Sequence, residues 1–223
     1  MRVATRGHAD DAPFGAASRH RPAPVARPGH GRIGPNAITR VAQALRAEIG
    51  DAATHAVFAH AVLDEHLETP PTGMVDEVEV RRLHVALREA VPAERAARVA
   101  RRAGELTGDY LLANRIPRPA QAVLKRLPAA LAERALLAAV SRHAWTFAGS
   151  GRFAARPGAP TVVEIADNPL CRALVADGPC CHYHAAVFER LWRALVAPGT
   201  TVVETRCGAL GAPACRFELR RTG

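Results

Sequence analysis

The 223-residue sequence carries 30 basic against 21 acidic side chains, a formal charge of +9, and its 48% apolar content is enough to build one sizeable core. No apolar run approaches the roughly 18 residues of a bilayer-spanning helix, and no apolar stretch follows Arg2 and Arg6 as an export signal requires. A transmembrane or secreted protein is therefore not expected, and the reading is cytoplasmic, with peripheral membrane contact left open.

Nearly all the positive charge is arginine, and Lys125 is the only lysine. Arginine and alanine bias of this kind reflects base composition as readily as binding. No nucleic-acid motif accompanies it, so no nucleic-acid partner is expected, and an anionic ligand or surface is the sharper alternative. Aromatic residues make up 4%, which leaves the core to Ala, Leu and Val.

Residues 1–30 are rich in Arg, His, Pro, Ala and Gly without periodicity and read as a disordered basic tail. A single domain is expected over 31–223, helical over 31–143 and mixed over 144–220. Asn36 reads as an N-cap, with Ile38, Val41, Ala42, Leu45 and Ile49 at helical spacing and Gly50 as the stop. A second helix runs from Asp51 to about Leu67, ahead of the Pro70-Pro71-x-Gly73 break. Val78–Ala90, the long Ala93–Asn114, Ala120–Leu127 and Ala129–His143 follow as helices.

Ala144–Ala148 and Thr161–Ile165 then read as strands around a Gly/Pro turn. An amphipathic helix spans His182–Val196, and strands over Thr200–Thr205 and Cys215–Leu219 close the chain. Helices first, then strands with one helix between them, predict an α+β fold with N-terminal helices packed on an antiparallel sheet.

All five cysteines fall in the last quarter of the chain. An odd number without an export signal argues against a disulfide framework and for metal ligation. Glu204-x-x-Cys207 leaves one predicted strand and Cys215 begins the next, so a hairpin brings these ends together. Cys181 at the start of the preceding helix completes a set of three thiolates and a carboxylate, which suits tetrahedral zinc. Cys180 and His182 are rival ligands to Cys181, and Cys171 reads as a bystander. Free cysteines are often plain buried hydrophobes, which is the bland alternative. With every position filled by protein, such a zinc would be structural.

Cys181, Glu204, Cys207 and Cys215, with the Phe217 strand behind them, resemble the 4-vinyl reductase domain, in which the matching three Cys and one Glu bind zinc. Arg32-Ile33-Gly34-Pro35-Asn36-Ala37-Ile38, Leu112–Pro117, His143–Gly151 and His184–Leu191 are similar to the branch of that family tied to bacteriochlorophyll synthesis. The resemblance covers residues 31–220. It implies a fold related to a subunit of vesicle-tethering complexes, a homodimer, and a buried pocket for an apolar ligand. It also implies a role near reduction of the 8-vinyl (formerly 4-vinyl) group of a Mg-tetrapyrrole, alongside other enzymes of that pathway.

Vinyl reduction needs a reductant. The one Gly-rich segment, Gly149-Ser150-Gly151-Arg152-Phe153-Ala154, fits G-x-G-x-x-A, but Pro157-Gly158 arrives too soon for the helix that a dinucleotide fingerprint requires. No NAD(P)H or flavin site is visible, and a pigment-binding carrier or assembly factor is expected ahead of a self-sufficient reductase. A sensory or scaffold domain is the third reading. His143 and His184 are candidate axial ligands to Mg, Trp145 a stacking platform, and Arg115 and Arg152 partners for propionates; Arg118, Arg142, Phe147 and Trp192 are weaker candidates.

Overall fold

The computed structural model describes residues 31–172 and 174–222; the predicted basic tail, residues 1–30, lies outside them. The first described element is a two-residue strand, β1 (Arg32–Ile33), which pairs antiparallel with β2 (Val75–Asp76). Between them lie α1 (Asn36–Ile49), α2 (Asp51–His60) and α3 (Glu65–Glu68). Pro35, not Asn36, occupies the N-cap of α1, and no side chain caps that end. Gly50, at φ +81°, ends α1 and opens α2.

The predicted single helix from Asp51 to Leu67 is interrupted after His60. Val62 adopts φ +55° and the Leu63 N–H turns back to the Phe58 carbonyl. A β-branched residue in that conformation carries no turn signature, so the sequence does not announce this stop.

Asp76 caps α4 (Glu77–Ala90) by accepting from the Val78 N–H at 2.8 Å. Pro92 then starts α5 (Ala93–Asn114), the longest element. Helices α6 (Arg118–Arg126) and α7 (Ala129–Arg142) each begin behind a proline, Pro117 and Pro128.

Ala144–Ala148 is not a strand. Residues Trp145–Ala148 form the short helix α8, with the Thr146 hydroxyl bonded to the His143 carbonyl. The strand that pairs with β4 (Thr161–Ala166) is instead β3 (Arg152–Arg156). Helix α9 (His182–Leu195) leads to β5 (Thr201–Arg206) and β6 (Ala214–Arg220). The four long strands form one antiparallel sheet in the order β3-β4-β6-β5.

Alternation sets the faces of this sheet. Cys215, Phe217 and Leu219 of β6 point inward with Val163 and Ile165. Glu164, Arg216, Glu218 and Arg220 form a charge ladder on the outer face. Helix α9 covers the inner face with Phe188, Leu191, Trp192 and Leu195, all buried.

Small residues let α5 lie against α9. Ala96, Ala100, Ala103, Gly104, Thr107 and Gly108 form its buried stripe. A Cβ on Gly104 would come within 2.3 Å of the Tyr183 carbonyl oxygen, and one on Gly108 within 2.6 Å of Arg190 Cγ. Backbone cannot yield as a flexible side chain can, so Gly104 is the tighter constraint.

The helical half is tied to the sheet by one buried carboxylate. Glu77 accepts from the Ser150 N–H at 2.7 Å, the Ser150 hydroxyl at 2.6 Å and Arg172 Nη1 at 3.0 Å. Arg172 also reaches the Ser150 hydroxyl and the Asp167 carbonyl.

Two stability predictions come from this packing. Gly104→Ala gains about 1 kcal/mol of helix propensity but forces the α5–α9 contact apart, and overpacking costs of about 1–3 kcal/mol make the net effect destabilising. Denaturant unfolding of the variant should show a lower midpoint, and an unchanged or higher one would show that the helices separate freely.

The second concerns His84, which is buried on α4 edge-on to Tyr183. Burial, then the nearby Arg88 charge, pushes its pKa from 6.5 down to about 3. The unfolded chain therefore takes up the proton first. The contribution is complete above the unfolded value and is lost as pH falls from there toward 3. Linkage puts the loss at about 2 kcal/mol by about pH 5. His84→Leu should flatten the acid limb of a stability–pH curve, and an equally steep limb would mean that other groups set it.

Candidate metal centre

The centre is assembled where three chain segments meet at one edge of the sheet. After β4, Asn168 turns the chain: its side chain accepts from the Leu170 N–H, and its carbonyl accepts from the Cys171 N–H. That turn carries Cys171 back over the sheet edge. Cys181 sits at the N-terminal boundary of α9.

Cys207 and Cys215 come from the β5–β6 hairpin, where a bulge decides which side chains face inward. Glu204 pairs with Phe217 and Arg206 with Arg216, which leaves Thr205 as the extra residue. Strict alternation after the buried Val202 and Glu204 would send Arg206 inward. With the extra residue Arg206 is exposed and Cys207 is fully buried.

The sulfurs of Cys171, Cys181, Cys207 and Cys215 all lie within 4.8 Å of one another, and all four residues are buried. Cys171 and Cys181 each stand 3.4 Å from Cys215. Cys180 Sγ is 3.5 Å from Cys207 Sγ. A tetrahedron with metal–sulfur bonds of about 2.3 Å has sulfur–sulfur edges of about 3.8 Å. The cluster therefore fits one metal ion with a slight expansion of its closest pairs. Soft, closely spaced thiolates are the donors that chemistry demands.

Mutual hydrogen bonding and burial push the Cys171, Cys180 and Cys181 thiols up, and mutual hydrogen bonding pulls the other two down. Hydrogen bonds from the Cys171, Cys180, Cys181 and Cys215 thiols hold the Cys207 thiol far below its ordinary range. Bonds from Cys171 and then Cys181 bring Cys215 down to about 7. Neutral donors surround the sulfurs: the Gly208 N–H points at Cys215 Sγ at 3.3 Å, and the Asn168 amide at Cys181 Sγ at 3.4 Å. Such contacts orient ligands and spread thiolate charge.

The sequence places Cys181, Glu204, Cys207 and Cys215 near one another, and the structure brings these segments together. It adds Cys171, which reads as a bystander in sequence; the Asn168-Pro169 break is the available signal for a chain reversal. Glu204 borders the cluster through a backbone contact. Its Oε2 accepts from the Cys181 N–H at 2.7 Å, while Oε1 is buried without a hydrogen-bond partner. Burial raises its pKa to about 9 even though the Cys181 bond opposes that shift. The four-sulfur set omits His182, whose imidazole is held below its ordinary pKa by burial.

The residues suggested for a macrocycle do not converge. His184 is only 2% exposed, among Phe147, Tyr183, Phe188 and Phe217, and its Nδ1 lies 3.4 Å from the Asn168 amide. An axial contact there would require the core to open. His143 and Trp145 lie at the α7–α8 corner, both exposed, with Trp145 59% accessible.

His143 Nδ1 is 2.9 Å from the Ala139 carbonyl. Donation to that acceptor leaves the lone pair of a neutral ring on Nε2. Arg115 lies near the Tyr110 ring, Arg142 is exposed at the end of α7, and Arg152 is paired with Asp167 at 2.7 Å. Arg118 is exposed, while Phe147 and Trp192 belong to the packed interior.

Two pockets hold about 130 Å³, between α5 and α9, and about 160 Å³, over Cys171, Arg172 and Cys215. Both fall below the roughly 300 Å³ lower end of drug-sized ligand sites. Neither of these two is the buried pocket for an apolar ligand that the resemblance implies, since charged side chains line both.

Comparison with known proteins supplies the rest. A model of the 4-vinyl reductase domain matches residues 161–221, the segment that holds the whole sulfur cluster. The bacteriochlorophyll synthase 23 kDa chain of Cereibacter sphaeroides is 49% identical over 192 residues, spanning 86% of this chain and 92% of that one. Its counterpart in Rhodobacter capsulatus is 42% identical over 201 residues, spanning 90% and 92%. A solved vinyl-4-reductase family protein from Methanocaldococcus jannaschii is a distant likeness, with a TM-score of 0.39 and 11% identity over 82% of this chain and 93% of that one. The matched domain around the cysteines, and identity over nearly the whole length of both 23 kDa chains, establish that this chain belongs to the 4-vinyl reductase family.

Proposed function

We propose that this protein acts in bacteriochlorophyll synthesis as a Mg-tetrapyrrole-binding carrier or assembly factor that assists reduction of the 8-vinyl group. The observation that carries the reading is the 49% identity to a chain named for bacteriochlorophyll synthase. The geometry favours carrying over self-sufficient reduction. The Gly149-Ser150-Gly151 loop enters strand β3, not a helix, and its Ser150 N–H is already taken by the Glu77 carboxylate. A phosphate would have to displace that buried anion.

The pigment site fits the exposed α7–α8 corner better than the interior. There His143 offers Nε2 to the central Mg, the Trp145 ring stacks on the macrocycle, and Arg142, next in sequence to His143, is the adjacent guanidinium candidate for a propionate, with Arg115 a further one. The protein works as a homodimer and in contact with other enzymes of the pathway.

The sulfur centre holds a structural zinc. Thiolates of Cys181, Cys207 and Cys215 supply three ligands, and the fourth is Glu204 or Cys171. The bound ion neutralises the buried thiolates and staples the β5–β6 hairpin to the start of α9.

Purified protein should contain a single zinc per chain by elemental analysis. Cys207→Ser or Cys215→Ser should lose it and lower the thermal midpoint. Comparing Glu204→Gln with Cys171→Ser names the fourth ligand, since only the true one should release metal at a competing chelator concentration that wild type resists. Zinc-free protein with both hairpin variants as stable as wild type would remove the metal centre.

Adding a divinyl Mg-tetrapyrrole to the protein should shift the Soret band without further change on addition of NADPH. His143→Ala should abolish the shift and His184→Ala leave it in place if the protein stays folded. Conversion to the monovinyl product with NADPH alone would make the chain a genuine reductase. No shift at all would favour the sensory or scaffold reading.

A further inference from the structure

Arginines over most of the fold are neutralised locally: Arg46 by Asp51, Arg101 and Arg193 by Glu189, Arg152 by Asp167, Arg172 by Glu77 and Arg190 by Asp109. The segment 115–142 departs from that pattern. It carries Arg115, Arg118, Lys125, Arg126, Arg134 and Arg142, all exposed. Among the described residues none of the six lies within ion-pair distance of a carboxylate. Arg115 only faces the Tyr110 ring, and Arg126 only a backbone carbonyl of its own helix. The one acid in the segment, Glu133, is buried and already paired with Arg221 at 3.0 Å.

The same hairpin turns apolar side chains outward. Val123 is 57% exposed and Leu131 50% exposed, and Ala135 and Ala138 continue the open face of α7. Helix α6 has no buried residue at all. A solvated helix of this kind would be expected to carry both signs of charge and few large apolar groups outward. Unneutralised cations around a modest apolar face match a different environment, the anionic interface of a lipid bilayer. There the apolar groups enter the headgroup boundary and the cations meet lipid phosphates.

We propose that the α6–α7 hairpin is a docking surface for an anionic lipid bilayer, which holds the protein peripherally with no spanning helix. No helix among the described residues is long and apolar enough to cross a membrane. The inference rests on charge and exposure, not on the pigment reading, and its test contains no pigment.

The test is sedimentation of the full chain with phosphatidylcholine vesicles, with and without phosphatidylglycerol. Binding should require the anionic lipid and weaken as salt is raised. Arg118→Gln, Lys125→Gln and Arg126→Gln combined should weaken it roughly a hundredfold, since each cation at an anionic surface is worth about fivefold. The triple variant should keep the wild-type circular dichroism and melting curve, because none of the three side chains is buried.

A control of equal charge, Arg82→Gln, Arg95→Gln and Arg98→Gln, should bind nearly as wild type. Equal losses in the two triple variants would overturn the proposal in favour of diffuse charge attraction. Failure of the wild type to bind anionic vesicles at low salt would overturn it too.

Discussion

Four cysteine sulfurs within 4.8 Å of one another, all buried, set the terms for the C-terminal half of this fold. Thiolates packed this closely in a medium of low dielectric repel one another, and thiols packed this closely compete for one acceptor. Hydrogen bonds from the neighbouring thiols pull the Cys207 thiol down, and the Gly208 N–H and the Asn168 amide point at the neighbouring sulfurs. Glu204, pushed toward its neutral form by burial, avoids adding another charge while it still accepts from the Cys181 N–H. A divalent cation would satisfy the same cluster more completely, and would change the balance for Glu204 by making its ionised form the favourable one. The Asn168 turn, the Thr205 bulge and the start of α9 all serve to bring these side chains to one point.

The helical half obeys a different constraint. Alanine and glycine let α5 and α9 approach closely, and the space that larger side chains would have left open is filled by backbone. His184, Phe147, Phe188 and Phe217 complete an interior in which each ring touches the next. Such a core gives up any room for a large planar ligand in return for close packing. The buried imidazoles of His84 and His184 contribute to packing and acid sensitivity, and the proposed pigment contact is therefore placed on the surface.

Much of this is legible in sequence, for reasons that can be named. Helices α1, α4, α5, α7 and α9 show the period of 3.6, with proline or glycine at their ends, and the hairpin cysteines announce themselves by flanking two strands. What escapes is local and short. Trp145-Thr146-Phe147 has the residue types of a strand, yet it folds as one turn of helix after α7, because an aromatic and β-branched run of that length has no period to distinguish the two. Strand β3 is a half-exposed edge, its alternation masked by Ala154 and Ala155, which fall on opposite faces. Cys171 lies only 3.4 Å from Cys215, 44 residues away in sequence, and nothing but the turn at Asn168 links it to the hairpin. The bulge at Thr205 is likewise invisible until the register is known.

Surface and interior then divide the work between them. On the proposed reading, a tetrapyrrole at an exposed corner has one face against protein and the other against water, and leaving that apolar second face hydrated is a penalty. A bilayer beside the corner would remove that penalty. The basic hairpin of α6 and α7 ends at His143, where the exposed imidazole and Trp145 begin. The hairpin proposed to meet anionic lipid thus runs directly into the corner proposed for the pigment. An apolar disc with anionic propionates and a membrane of anionic headgroups make the same two demands, open apolar surface and unpaired arginine, and within the described residues this hairpin and its corner supply both together.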